Sequence, residues 1–400
     1  MAKILEPEFI LQVSIPTLAP NTLVASPDLR RAAYVSRFRN GMCVVVDGVD
    51  GELFEGIGAG TVAFSSDGKH VAYVAGAKGK QFVVHDGNVG QPYDLTSKGP
   101  PQLSSNGEHL AYGVRTGDRW RIVIDGVEVG GYEWLGCVTM SPDGLRLASI
   151  AGGSQGMFIV LDGVEGRPYH AILQDTLVFS PNSQEVAYGA ALDGTHQLVI
   201  RDGVEGSRYY GVPGRPVYSS DSRRLLHPAG DGVHQFIVVD GSARRAFDHI
   251  VIGQNEIFSK DCCHIAYAIK EGDHQHVAVD DAPGPPFDGI GVASVCLSSD
   301  GRRVAYRARV ANSRFVVCDN QPKPPRVNVW GLLFSPDAAH LAHVAEVGRR
   351  HAVVVDDEVV FECDGVLSAA AGHALRFDGD RRLRFVALMG GALYSVAVEF

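Results

Sequence analysis

An aspartate or asparagine returns about every 39 residues along the whole chain, at Asp28, Asp67, Asn106, Asp143, Asn182, Asp221, Asp261, Asp300, Asp337 and Asp380. The successive spacings are 39, 39, 37, 39, 39, 40, 39, 37 and 43. A fixed period of this length is the mark of a repeat architecture, in which each unit buries its apolar face only against its neighbours. The period therefore constrains the fold before any single motif is considered.

One unit reads Thr61-Val-Ala-Phe-Ser-Ser-Asp-Gly68, then His70-Val-Ala-Tyr-Val-Ala75, then Gln81-Phe-Val-Val-His-Asp-Gly87, and ends on Gln91-Pro-Tyr-Asp-Leu95. Runs of Val, Ile, Tyr and Phe punctuated by Gly, Asp, Asn, Ser and Pro are strand and turn signals. No window keeps a helical apolar period. Each unit predicts four short strands, with repeat units starting near 26, 65, 104, 141, 180, 219, 259, 298, 335 and 378.

A second marker follows the first by nineteen or twenty residues, at Asp47-Gly48, Asp86-Gly87, Asp125-Gly126, Asp162-Gly163, Asp202-Gly203 and Asp240-Gly241. It weakens to Asp280-Asp281, Asp319-Asn320 and Asp356-Asp357. Asp-Gly between apolar runs signals a tight hairpin. Both aspartate columns are thus explained by turn geometry, without catalytic or metal chemistry.

The ends are out of phase with the repeat. The last unit stops after its third strand, while residues 9–15, Phe9-Ile-Leu-Gln-Val-Ser-Ile15, precede the first unit and are suited to be a fourth. A ring needs such complementation, because closure hides the two unpaired edges. The expected fold is all-β: a single β-propeller of ten four-stranded blades spanning 1–400, closed by the N-terminal strand completing the last blade. Two five-bladed rings would require a phase break near residue 200, where the spacing stays at 39.

The stretches Phe179-Ser-Pro-Asn182 with Val186-Ala-Tyr188, and Phe334-Ser-Pro-Asp337 with Leu341-Ala342, resemble the TolB-type, WD-like propeller repeat of bacteria. The resemblance covers the whole chain and implies fold more than function. Its relatives include the TolB propeller of the cell envelope, propellers that precede prolyl-oligopeptidase hydrolase domains, and oligogalacturonate lyases. Ten units with no appended domain depart from those relatives.

A net charge of −10 argues against nucleic-acid binding, which rests on neutralising phosphates. No run of eighteen apolar residues predicts a membrane-spanning helix. Seven cysteines, mostly inside strand runs and without a CxxC spacing, read as buried thiols of a cytoplasmic protein. The location becomes periplasmic if a signal peptide precedes the chain. A monomeric ring is expected, with one or more protein partners.

No nucleophile elbow, P-loop, HExxH or dinucleotide fingerprint occurs, so no catalytic residue, metal ligand or cofactor is assigned. His196, His234 and His274 occupy equivalent places in three units, where a solvent-facing rim is the plain reading. His274 and His276, two apart on one strand, form the one local pair suited to a shared ion. The turns between first and second and between third and fourth strands leave one face and are nearly uniform. The opposite face is irregular, at Trp134, Arg215, Gln254, Asn255 and Trp330. Trp and Arg are interface anchors, so these five are the expected partner-binding residues. The leading expectation is a non-catalytic scaffold for protein–protein interaction. The alternative is a carbohydrate-active hydrolase or lyase with its site in the central depression.

Overall fold

The computed structural model describes residues 3–251, 257–368 and 374–400. Ten antiparallel sheets follow one another along the chain as the blades of a β-propeller. Blades 1 to 9 occupy 24–50, 56–89, 95–132, 134–165, 171–205, 217–247, 249–283, 289–322 and 327–363. Blade 10 combines 365–399 with the N-terminal strand.

Blade 2 shows the plan. Its second strand, Val71–Ala77, and third, Lys80–His85, form the centre, and the fourth, Asn88–Val89, is a two-residue outer edge. The first strand is in two pieces, Gly56–Ile57 and Ala63–Phe64, both paired with the second strand. The break is built by a side chain. Thr61 Oγ1 donates to the Gly58 carbonyl at 2.8 Å and accepts from the Val74 amide at 3.1 Å, so a hydroxyl replaces a ladder bond. Thr22 and Thr176 make the same two contacts in blades 1 and 5. The expected single first strand is therefore often two, with a loop at its middle.

Closure occurs where the phase of the sequence predicts it. Glu8–Gln12 pairs with the last strand, Ala392–Glu399, with Leu11 opposite Leu393, and Lys3–Ile4 extends the pairing. The strand is shorter than residues 9–15. The chain turns after Val13 because Pro16 carries no amide proton and Thr17 and Leu18 both donate to the Ser14 carbonyl.

The core is distributed around the ring. Among the described residues there are ten clusters of buried apolar side chains, each spanning two successive blades. The joint between blades 10 and 1 is one of them, with Ile10, Leu11, Leu29, Tyr34, Val386 and Leu393. One continuous series of interfaces leaves no gap for two separate rings. In blades 1 to 7 an aromatic at or just after the end of the fourth strand serves these interfaces: Tyr93 meets Tyr112 of the next blade, Tyr169 meets Tyr188, and Phe287 meets Tyr306, all edge to face.

The uniform face is held by a polar clamp in blades 1 to 9, seen plainly in blade 6. Ser219, fully buried, donates its hydroxyl to Asp221 at 2.6 Å and accepts from the Arg224 amide at 2.9 Å. Asp240 accepts the Leu225 amide through Oδ1 and the Arg224 guanidinium through Oδ2. Arg224 then reaches the Cys262 carbonyl of blade 7 at 3.0 Å. Asp240 and Gly241 have φ of 49° and 80°, the two left-handed residues of a type I′ hairpin. Hydrogen bonding to serine holds the Asp67 and Asp221 carboxyls below the usual range, Asp67 at about 2. Both aspartate columns are thus structural.

A glycine column completes the plan. Gly51, Gly90 and Gly206 donate to a third-strand carbonyl just as the fourth strand ends. A Cβ at any of the three would lie 2.9 Å from that oxygen, so only glycine fits the approach. All seven cysteines are free thiols, four of them buried. Among the described residues no helix is long and apolar enough to cross a membrane.

Candidate functional site on the irregular face

Where blades 5, 6 and 7 meet on the irregular face, a cavity of about 680 Å³ opens. Its first wall is the loop that splits the first strand of blade 5, carrying Gln174 and Asp175 between Leu173 and Thr176. Thr176 pins that loop, bonding the Leu173 carbonyl at 2.7 Å and the Gly189 amide at 3.0 Å. The second wall is the corresponding loop of blade 6, Val212-Pro-Gly-Arg215. It is fixed across the blade boundary by Gln197, whose side-chain oxygen accepts the Val212 amide at 2.7 Å.

The third wall is the turn between second and third strands of blade 6. Asp231 accepts the amides of Val233 and His234 at 2.9 and 2.8 Å, which fixes His234 at the rim. Those two amides, His234 first, hold the Asp231 carboxyl below its ordinary range. His249 of blade 7 closes the far side. Tyr210 is 60% exposed, and its ring lies 5.5 Å from that of His196.

The cavity offers one carboxylate (Asp175), one guanidinium (Arg215), two imidazoles and a phenol. Among the described residues Arg215 makes no ion pair, unlike the clamp arginines opposite. Gln235 spends its oxygen on the Ile250 amide, so its amide nitrogen remains a donor. This set is suited to hydrogen bonding and stacking. Only one carboxylate lines the cavity, whereas glycoside hydrolysis by the usual route needs a facing pair.

Of the five residues expected from sequence, the three that are described do not converge. Arg215 lines the cavity. Gln254 and Asn255 lie outside the described residues. Trp134 opens the first strand of blade 4, 41% exposed, with its ring over Gly136, where an added Cβ would approach within 2.7 Å. Trp330 belongs to blade 9, packs on the cluster between blades 9 and 10, and stands edge to face on His351 at 4.8 Å. It also borders a second cavity of about 490 Å³ with Arg307, Arg309 and Arg314.

Asp175, Tyr210 and His249 were not legible as site residues, because only the meeting of three blades brings them together. The signal that exists is local: a Tyr209-Tyr210 doublet where units 1 to 4, 6 and 7 have one aromatic in the column. His274 and His276 do not form an ion site. His276 Nδ1 lies 2.9 Å from the Gly284 carbonyl, while His274 is exposed.

No family model matches the sequence, and no curated protein matches it. Solved structures do. A structure described as the eukaryotic initiation factor is similar at 13% identity and a TM-score of 0.47, covering 92% of this chain and 98% of that one. TolB from Acinetobacter baumannii is similar at 17% identity and a TM-score of 0.31, over 50% of this chain and 62% of TolB. The Dos1 propeller is similar at 11% identity and a TM-score of 0.37, over 84% and 91%.

Proposed function

We propose that this chain is a non-catalytic interaction platform, a TolB-type, WD-like propeller of bacterial origin acting in the cytoplasm as a monomeric ring. Its irregular face receives a protein partner, and the cavity of blades 5 to 7 takes the partner's anchoring side chain. The observation that carries this reading is Arg215, without an ion pair among the described residues, beside the exposed Tyr210 in a cavity lined by residues that break the repeat. Charged and aromatic groups left free on a rigid scaffold are the raw material of an interface hot spot. The net charge of −10 supports a protein rather than a nucleic acid as that partner.

Affinity purification from the native source tests the reading, with wild type compared against Tyr210→Ala/Arg215→Ala. A partner recovered with wild type and lost with the double variant is expected. A partner retained equally by both removes the cavity from the interface. The exposed Tyr210 ring, with amide and imidazole donors around it, also favours a glycan as ligand, as the carbohydrate-active alternative requires. With one carboxylate in reach, that alternative predicts binding without cleavage. Turnover of any oligosaccharide that Arg215→Ala abolishes restores the enzyme reading.

A further inference from the structure

Four blades carry a histidine on the uniform face paired with the aspartate of the hairpin between third and fourth strands. These are His70–Asp86, His109–Asp125, His264–Asp280 and His340–Asp356, at 2.6, 2.8, 2.6 and 2.5 Å. In blade 2 alone a second imidazole joins the pair. His85 stands where the other three have Ile124, Val279 and Val355. Its Nε2 is buried and has no hydrogen-bond partner, yet it lies 3.5 Å from Asp86 Oδ2. A buried ring nitrogen without a partner is costly and calls for a ligand.

We infer that His70, His85 and Asp86 form a binding site for a divalent transition-metal ion of the zinc class, with water in the fourth position. One ligand atom from each of the three lies within 4.8 Å of the other two. Metal–ligand bonds of about 2.0–2.1 Å at tetrahedral angles place ligands ~3.3 Å apart. The 3.5 Å from His85 to Asp86 already has that length, and the 2.6 Å from His70 to Asp86 opens when the metal replaces the shared proton. Two neutral imidazoles and a carboxylate are a donor set for zinc, iron or cobalt rather than calcium or magnesium.

The surroundings hold the ligands in place. Asp86 Oδ1 is occupied by the Val71 amide at 2.9 Å, leaving Oδ2 for the ion. The His70 ring packs on Gly107 of blade 3, where an added Cβ would fall 2.3 Å away. Such anchoring fixes ring orientation, as outer contacts do in metal sites generally. All three side chains keep 28–38% exposure, which admits the ion and a water. Sequence spacing hides the site, because His70 and His85 meet only when second and third strands pair.

The test uses the full chain without a histidine tag, stripped with chelator and titrated with Co²⁺ and then Zn²⁺. One equivalent of Co²⁺ with the visible absorption of a four-coordinate ion is expected, displaced by Zn²⁺. His85→Val installs the residue that blades 7 and 9 carry, so the fold survives, and affinity falls ~10-fold or more. Ile124→His copies the arrangement into blade 3 and adds a second equivalent. Three results overturn the site: a wild type that takes up no ion, a His85→Val variant that binds like wild type, or an Ile124→His variant that gains nothing.

Discussion

The two faces of the ring are built from the same strands and differ in what their turns are asked to do. On the uniform face, serine, aspartate and a basic residue repeat one clamp, and the arginine of one blade often reaches the carbonyls of the next. On the irregular face the corresponding loops share a way of breaking the first strand and little else. Asp175, Arg215 and His234 are exposed there, and among the described residues none of them makes an ion pair. The difference teaches that regularity marks where the repeat holds itself together, and that function is to be sought where regularity stops.

The joint between blades 10 and 1 gives the largest expected effect. Leu11 is 1% exposed inside the cluster that joins the two ends of the chain. Leu11→Ala is expected to cost about 2–5 kcal/mol in urea unfolding, whereas Val233→Ala on the irregular rim, 75% exposed, leaves stability unchanged. Equal effects would mean that the N-terminal strand does not close the ring.

Acid provides the next contrast. His227 and His343 take the second-strand place that tyrosine fills in blades 1, 2, 3, 5, 7 and 8. Burial pushes both imidazoles down to about 4. Since the unfolded chain binds those protons first, their contribution is complete above pH 6.5. It is lost as pH falls toward 4, by about 3 kcal/mol each at most. Thermal melts between pH 7 and 4.5 should show this slope in wild type and a flatter one in His227→Tyr/His343→Tyr. The aspartates of the clamps titrate lower and extend the loss below pH 4. An unchanged slope in the double variant would assign the acid sensitivity to other groups.

Breaking one clamp comes third. Ser219→Ala strands the Arg224 amide and one bond of Asp221, for ~1–3 kcal/mol. Blade 5 sharpens the comparison, because Glu185 stands where other blades have His or Arg, and Arg201 pairs with it from the third strand at 2.7 Å. Both side chains are about one-third exposed. A double-mutant cycle with Glu185→Gln and Arg201→Gln should give a coupling of ~0.2–1 kcal/mol. Arg215→Ala is the smallest, within about 0.5 kcal/mol of wild type; a larger loss would make Arg215 structural.

The fold was legible because a propeller writes its plan into the sequence many times. Asp-Gly pairs fix the hairpins, and the phase of the repeat places Glu8–Gln12 beside Ala392–Glu399. The split first strands were not legible, since a threonine bonding its own backbone, as Thr61 does, leaves no pattern of apolar residues. The site was legible only through Arg215. Tyr210, Asp175 and His249 come from three blades, and no spacing in one unit encodes their meeting. Trp330 drew attention because tryptophan is an interface anchor; in the fold it is half-buried, stands edge to face on His351 and borders the second cavity.

Hydrogen–deuterium exchange of the chain with its co-purified partner tests the division of labour most directly. The account predicts new protection in peptides covering 173–176, 210–215 and 232–235, with the 219–224 and 239–242 turns unchanged. Protection confined to those turns would place the partner on the uniform face and contradict it.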